Sequence, residues 1–333
     1  MHAQLPSSLE LSPLGIPHLK RFWYSSVAAP QSAASREDEH ELDRMLFDLL
    51  GVGLHQVLNF VYAERPSFSE LEHWMVTKVG QPCAHTLARL QAIYQQKPYS
   101  GELKAWLHEI EQIPDVLSQE DLAHWQEHGY VIVKNAVSLA AAKEAEQALW
   151  QYLKAEPEQP DTWYSLHNRS GIMVELIQHP AFAANRHAAR IHKAFAQLWQ
   201  TADLRVSADR GGFNPPERQG FEFSGPDLHW DINFNKPLQF GTQGILYLTD
   251  TAAEQGAFTL VPGFQHHLPT WLAELPPAAD PQQQDLHALG AKAIAANAGD
   301  LIIWHQWLPH GSRPNTTSQP RMVQYINYLP VRI

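Results

Sequence analysis

The sequence predicts an α+β protein in two parts: a mainly helical N-terminal domain over residues 1–115 and a mostly β domain with flanking helices over residues 116–333. Three observations carry this prediction. From about Glu39 to Gln96 apolar residues recur at three- and four-residue intervals, the spacing of amphipathic helices. Beyond Leu204 short β-branched and aromatic runs are separated by Gly, Pro, Asn and Asp, which is strand-and-turn composition. At 333 residues the chain is also long enough for two domains or one elaborated domain.

Each element follows in order. The small polar run "SSVAAPQSAASREDEHE" (residues 25–41) predicts an exposed loop before the first helix. "ELDRMLFDLLGVGLHQVLNFVYAE" and "LEHWMVTKVGQPCAHTLARLQAIYQQ" predict helices, "KPYSG" (97–101) a turn, "ELKAWLHEIEQI" one more helix, and "PDVLS" (114–118) a linker. Ser118 then reads as the N-cap of a helix that runs to about His128, stops at Gly129 and gives way to the β-branched strand "YVIVKN". "LAAAKEAEQALWQYLKAE" and "NRHAARIHKAFAQLWQT" predict two further helices, and no internal repeat of 20 to 50 residues is present.

Composition narrows the function classes. With 24 Lys plus Arg against 35 Asp plus Glu, the formal charge is -11, which argues against an electrostatic footprint for nucleic acid or an anionic membrane. The longest apolar stretches, such as Leu301–Trp304, are far shorter than a bilayer span, and the N-terminus lacks the basic and apolar blocks of a signal peptide, so a cytoplasmic protein is expected. Cys83 is the single cysteine, which leaves no intramolecular disulfide and no thiolate cluster. Any metal must be held by His, Asp or Glu.

A candidate for that role is "PDLHWDINF" (226–234). On a strand His229 and Asp231 project together, opposite Leu228, Trp230 and Ile232, and one imidazole and one carboxylate converge as half a metal site or as an ordinary hydrogen-bonded pair. With 19 histidines in the chain, on the order of one His-x-Asp match arises by chance, so the motif needs company. It comes in "AGDLIIWHQWLPHGSRPNTTSQPR", where a turn at Gly299 and Asp300 launches an apolar strand that ends in a short loop carrying His310. Two histidines and one carboxylate are the facial triad of non-haem Fe(II) enzymes, and zinc can use the same three ligands.

These segments resemble the phytanoyl-CoA dioxygenase-like branch of the Fe(II)/2-oxoglutarate-dependent oxygenases. The likeness runs through about two thirds of the chain, from "LSQEDLAHWQEHGYVIVKNAVS" through "LWQTADLRVSADRGGFNPPE" and "LHWDINF" to "GILYLTDTAAEQGAFTLVPGFQHH" and "GDLIIWHQWLPHGSRPN" followed by "QPR". The resemblance implies a double-stranded β-helix, the jelly-roll barrel of cupin-like proteins, with iron at its open mouth. It implies that His229, Asp231 and His310 hold Fe(II) and that Arg321 pairs with the distal carboxylate of 2-oxoglutarate, a role for which a planar, always charged fork is suited. Ser312 would support the same carboxylate, Tyr247 would line the co-substrate pocket, and Gln243 would reach it. The implied reaction consumes O2 and 2-oxoglutarate, releases succinate and CO2, and hydroxylates an unactivated C–H bond of a small metabolite. An intact Asp231 speaks against halogenation, and the chain departs from its relatives where Phe264 and Gln265 precede His266 in place of a Ser-His pair.

The substrate is less legible. Arg210, Arg218 and Phe223 are candidate substrate contacts, although solvation is the plainer reading for the two arginines and sheet filling for Phe223. "ADRGGFNPPERQG" and the stretch from Leu268 to Leu289 read as loops over the barrel mouth, the latter as a mobile surface loop. His266, His267 and His305 read as packing or surface residues. The helical segment lies outside the resemblance, and its candidate roles are capping the barrel, recognising substrate or forming a homodimer. The competing readings are a metal-dependent enzyme that is not an oxygenase and a non-catalytic binding protein on the same barrel. Succinate formation dependent on 2-oxoglutarate separates them.

Overall fold

The computed structural model of the chain describes residues 5–28 and 39–331, so residues 29–38 of the expected loop lie outside the described residues. The chain divides into two compact units, Met1–Ile113 with Leu198–Ala208 and Leu329–Ile333, and Pro114–Gln197 with Asp209–Tyr328. The sequence reading kept everything beyond residue 115 together; the chain instead returns two later pieces to the first unit. Arg205 gives the reason: it is buried, its Nε lies 3.2 Å from Asp48 Oδ2 and its Nη2 lies 3.2 Å from Glu41 Oε2. Those partners are more than 150 residues upstream, beyond the reach of any local pattern.

The first unit is helical, with Leu19–Trp23, His40–Leu50, Leu54–Glu64, Phe68–Val79, Ala84–Tyr94 and Gly101–Gln112. Leu46, Phe47, Leu50, Val57, Val61, Leu71, Met75 and Leu90 turn the predicted apolar stripes into one core. Ser67 caps its helix reciprocally with Glu70, and Gly51 takes the left-handed conformation (φ 74°) that ends the preceding one. Among the described residues, no single helix is long and apolar enough to cross a membrane.

The second unit opens as its sequence prescribes. Ser118 and Asp121 form a capping box on helix Gln119–His128, Gly129 stops it at φ 73°, and strand β1 (Tyr130–Val133) follows. The remaining strands are β2 (Arg169–Ser170), β3 (Met173–Val174), β4 (Leu204–Val206, in the first unit), β5 (Gly211–Asn214), β6 (Thr242–Tyr247), β7 (Thr259–Leu260), β8 (Lys292–Ala293), β9 (Leu301–His305), β10 (His310–Gly311), β11 (Arg321–Tyr325) and β12 (Tyr328–Pro330). A seven-stranded antiparallel sheet has the order β1-β9-β6-β11-β5-β3-β2, and a smaller sheet has the order β10-β7-β8. His229 bridges to His310 on the free side of β10 and extends the smaller sheet. Traced from β5 through His229 to β11, the chain crosses between the sheets in jelly-roll order. Ile245, Tyr247, Ile302, Trp304 and Val323 from the large sheet meet Leu228, Trp230, Leu260 and Ile294 in one core.

Three local expectations need correction. The Gly-Gly-Phe-Asn run, expected in a mouth loop, is the buried inner strand β5 between β11 and β3. Glycine weakens a strand signal, yet a Cβ at Gly212 would meet Val323 Cγ2 at 2.7 Å, so the close approach of β11 requires it. The stretch Leu268–Leu289 is not an open surface loop: it forms a helix (Leu268–Glu274) and two 3-10 turns, and Leu268 and Leu286 are buried in the core. Finally, "NRHAARIHKAFAQLWQT" is not one helix but the end of Pro180–Arg186 and the whole of Ala189–Trp199.

Candidate metal centre

The segment "PDLHWDINF" is not the regular strand expected. His229 makes a single two-bond bridge with His310, each backbone N–H donating to the other's carbonyl at 2.9 Å, and the backbone bends at residues 228, 231 and 232. The alternation of faces nevertheless survives: Leu228 and Trp230 are buried while His229 and Asp231 turn away from them. Trp230 is the anchor. Its indole donates to the Trp307 carbonyl (2.8 Å) and packs against Phe264 and Trp271. Its backbone is clamped by Gln282, which accepts the N–H at 3.0 Å and donates to the carbonyl at 2.7 Å, the bonds a neighbouring strand would otherwise make.

On the other face, the ligand atoms of His229, Asp231 and His310 lie within 4.8 Å of one another. His229 Nε2 is 3.5 Å from Asp231 Oδ1, and His310 Nε2 is 3.3 Å from Asp231 Oδ2. Both rings have a fixed tautomer: Nδ1 of His229 lies 2.6 Å from the Asp227 carbonyl and Nδ1 of His310 lies 3.0 Å from the Leu308 carbonyl. A carbonyl only accepts, so each Nδ1 carries the proton and each Nε2 presents its lone pair to the shared space. Burial opposes charge on both His229 and Asp231. For His229 the bonds to Asp231 and the Asp227 carbonyl outweigh it and raise the pKa, while for Asp231 the two imidazoles and the Gln243 amide hold the carboxyl well below its usual range. Two imidazole nitrogens and a carboxylate so disposed fit a divalent first-row metal that keeps open positions.

The predicted co-substrate residues divide. Arg321 is fully buried on β11, its Nη2 donates to Ser312 Oγ at 3.0 Å, and its Nε and Nη1 have no hydrogen-bond partner. Among the described residues no carboxylate pairs with it. A buried cation with two orphaned donors calls for an anion, and a dicarboxylate such as 2-oxoglutarate supplies one. The Tyr247 hydroxyl is fully engaged: it donates to the Ile294 carbonyl (2.8 Å) and accepts the Phe258 N–H (2.9 Å), and burial pushes its pKa up to about 12. Only its ring remains for a ligand. Gln243, expected to reach the co-substrate, instead donates to Asp231 Oδ2 at 2.6 Å and accepts from Trp304 Nε1 at 3.1 Å.

The candidate substrate cations are already paired. Arg210 lies 2.8 Å from Glu175 and 3.4 Å from Asp209, and Arg218 lies 2.7 Å from Asp161 with its guanidinium over the Tyr164 ring at 3.5 Å. Phe223 is half-buried, and its N–H donates to Glu217 at 3.0 Å. Neither Gln282 nor Trp304 is singled out for the site by the sequence pattern. Gln282 has no local signal, and Trp304 acquires its role only because it faces Gln243 across the β6–β9 pair.

A model of the phytanoyl-CoA dioxygenase (PhyH) family matches residues 125–323. The chain is 22% identical over 265 residues to a Dictyostelium discoideum protein named "Putative phytanoyl-CoA dioxygenase", an alignment that covers 62% of this chain and 74% of that one. Among solved structures it is similar to iron-bound EctD from S. alaskensis (18% identity, TM-score 0.48, covering 65% of this chain and 78% of that one). It is also similar to SnoK, a non-haem α-ketoglutarate-dependent carbocyclase from nogalamycin biosynthesis (18% identity, TM-score 0.47, 66% of this chain and 85% of that one).

Proposed function

The chain belongs to the phytanoyl-CoA dioxygenase family, and from that premise we propose that it hydroxylates an unactivated C–H bond of a small metabolite, with His229, Asp231 and His310 as the iron ligands and Arg321 as the anchor of the co-substrate. The family uses Fe(II), 2-oxoglutarate and dioxygen; bound iron supplies the centre at which dioxygen is activated as 2-oxoglutarate is converted to succinate and CO2. The observation that carries the reading is Arg321, buried with two unpartnered donors in the same barrel as the ligand cluster.

The rest of the chain's work is placement. The carbonyls of Asp227 and Leu308 keep the Nε2 atoms of both histidines unprotonated and aimed at one point. Ser312 fixes one arm of the Arg321 fork and leaves the other donors for a carboxylate. Ile245, Tyr247, Phe258 and Val323 are buried in one apolar core of the same unit. The mainly helical first unit, Met1–Ile113 with Leu198–Ala208 and Leu329–Ile333, is read as a domain apart from the oxygenase unit, with capping the barrel, recognising substrate and forming a homodimer as its candidate roles; light scattering after size exclusion tests for that dimer.

The deciding experiment is anaerobic addition of Fe(II) and then 2-oxoglutarate to the purified protein. A weak visible charge-transfer absorption is expected in the wild type and not in Arg321→Ala. Succinate release then selects among carboxylated and phosphorylated metabolites, and one labelled oxygen from 18O2 in the product identifies hydroxylation. Folded, iron-loaded protein without the absorption would sink the proposal.

A further inference from the structure

We infer that Gln243 is the positioning residue of the metal carboxylate and that Trp304 acts through it, so that the large sheet sets the plane of Asp231. The inference rests on the metal-centre reading above and deepens it. Gln243 on β6 lies opposite Trp304 on β9. An indole N–H can only donate, so the side-chain oxygen of Gln243 must face Trp304 Nε1, as it does at 3.1 Å. This leaves the amide NH2 no choice but Asp231, whose Oδ2 it meets at 2.6 Å.

The donor side of the chain is rigid. Trp304 is 3% exposed, and its ring lies 4.2 Å from that of Phe258 and 5.0 Å from that of His310 between centroids. The acceptor side needs that rigidity. The Asp231 side chain is 54% exposed and follows a backbone bend rather than a strand, so neither packing nor a ladder fixes its rotation. Apart from Gln243, its near neighbours are the two imidazoles at 3.5 and 3.3 Å, themselves candidate ligands. A carboxylate accepts at both oxygens; with Gln243 on Oδ2, Oδ1 is the oxygen left free for a cation. Losing an outer partner of this kind typically costs roughly 10- to 100-fold in metal affinity.

The test needs no turnover and no substrate. Mn(II) is titrated into wild-type protein, Gln243→Met, Trp304→Phe and the double variant, and free Mn(II) is counted by electron paramagnetic resonance. Methionine keeps the length and volume of the glutamine without its donor and leaves the Trp304 indole only a weak acceptor, so the metal-free melting temperature is expected to fall by no more than a few degrees while the Mn(II) Kd rises roughly 10- to 100-fold. Trp304→Phe, which frees the amide to turn over, is expected to give a smaller rise, and the double variant no more than Gln243→Met alone. Unchanged Mn(II) affinity in Gln243→Met overturns the inference, as does a Trp304→Phe effect that adds in full to the first. Should Gln243→Met fail to fold, Gln243→Leu, which is apolar and can neither donate nor ligate, carries the same expectation. A wild type that binds no Mn(II), or binds it equally in Asp231→Ala, overturns the metal-centre reading itself, a result distinguishable from failure of the Gln243 role.

Discussion

His229 and His310 are joined backbone to backbone, each N–H donating to the other's carbonyl at 2.9 Å, before any ion is considered. The bridge uses no side-chain atoms. His310→Ala is therefore expected to keep the bridge and the fold, with a metal-free melting temperature lowered by the cavity its buried ring leaves, and to lose the stabilisation that a bound ion gives. Thermal melts with and without Co(II) check this, and an undiminished Co(II) shift in the variant would refute the ligand assignment.

Arg321→Met separates binding from stability. The wild-type guanidinium is buried with two unpartnered donors, each costing about 1–3 kcal/mol, so an apolar chain of similar length should leave the melting temperature of ligand-free protein at or above that of wild type. The same change removes the counter-charge for a carboxylate, a loss of about 3–5 kcal/mol, so 2-oxoglutarate should raise the melting point of wild type only. A large fall in ligand-free stability would mean that Arg321 has a structural partner instead.

Gln282 ties the segment from Leu268 to Leu289 to the ligand-bearing chain through two bonds to Trp230. At about 0.5–1.5 kcal/mol each, their loss in Gln282→Ala should cost roughly 1–3 kcal/mol of stability. The Trp230 amide should exchange with solvent measurably faster, while exchange in the helix Gln119–His128 stays as it was.

His305 predicts a pH dependence. Burial, and secondarily the charge of His266, pushes its pKa down from 6.5 to about 4, and its Nδ1 accepts the Trp307 N–H at 3.0 Å, which requires the neutral ring. Between about pH 6.5 and 4 the unfolded chain then binds more protons than the folded one, so stability falls as pH drops through that window, by about 3 kcal/mol in all. Denaturant titrations at several pH values should show this slope in wild type and a shallower one in His305→Asn.

Much of this was legible because its causes are local. Ser118, Asp121 and Gly129 lie within one helix and its caps, and the expected start, stop and following strand appear in place. The turn at Gly299 has φ 88° and launches β9 as expected. Where local signals misled, a distant requirement had overridden them. Gly211 and Gly212 look like a loop, and form an inner strand because Val323 leaves no room for a side chain at 212.

The sequence by itself determined the helical and β halves, their caps and turns, the absence of thiolate ligands, and the residue types available to a metal. Periodicity, capping and residue chemistry act over a few positions and can be read directly. Only the tertiary structure decided that Gln243 serves Asp231, that Gln282 replaces a missing strand at Trp230, that Arg210 and Arg218 already have counter-charges, and that Arg321 is left with unpartnered donors. The first three join segments more than ten residues apart, from 12 for Gln243 and Asp231 to 57 for Arg218 and Asp161, and all depend on strand register and packing, which no local pattern specifies.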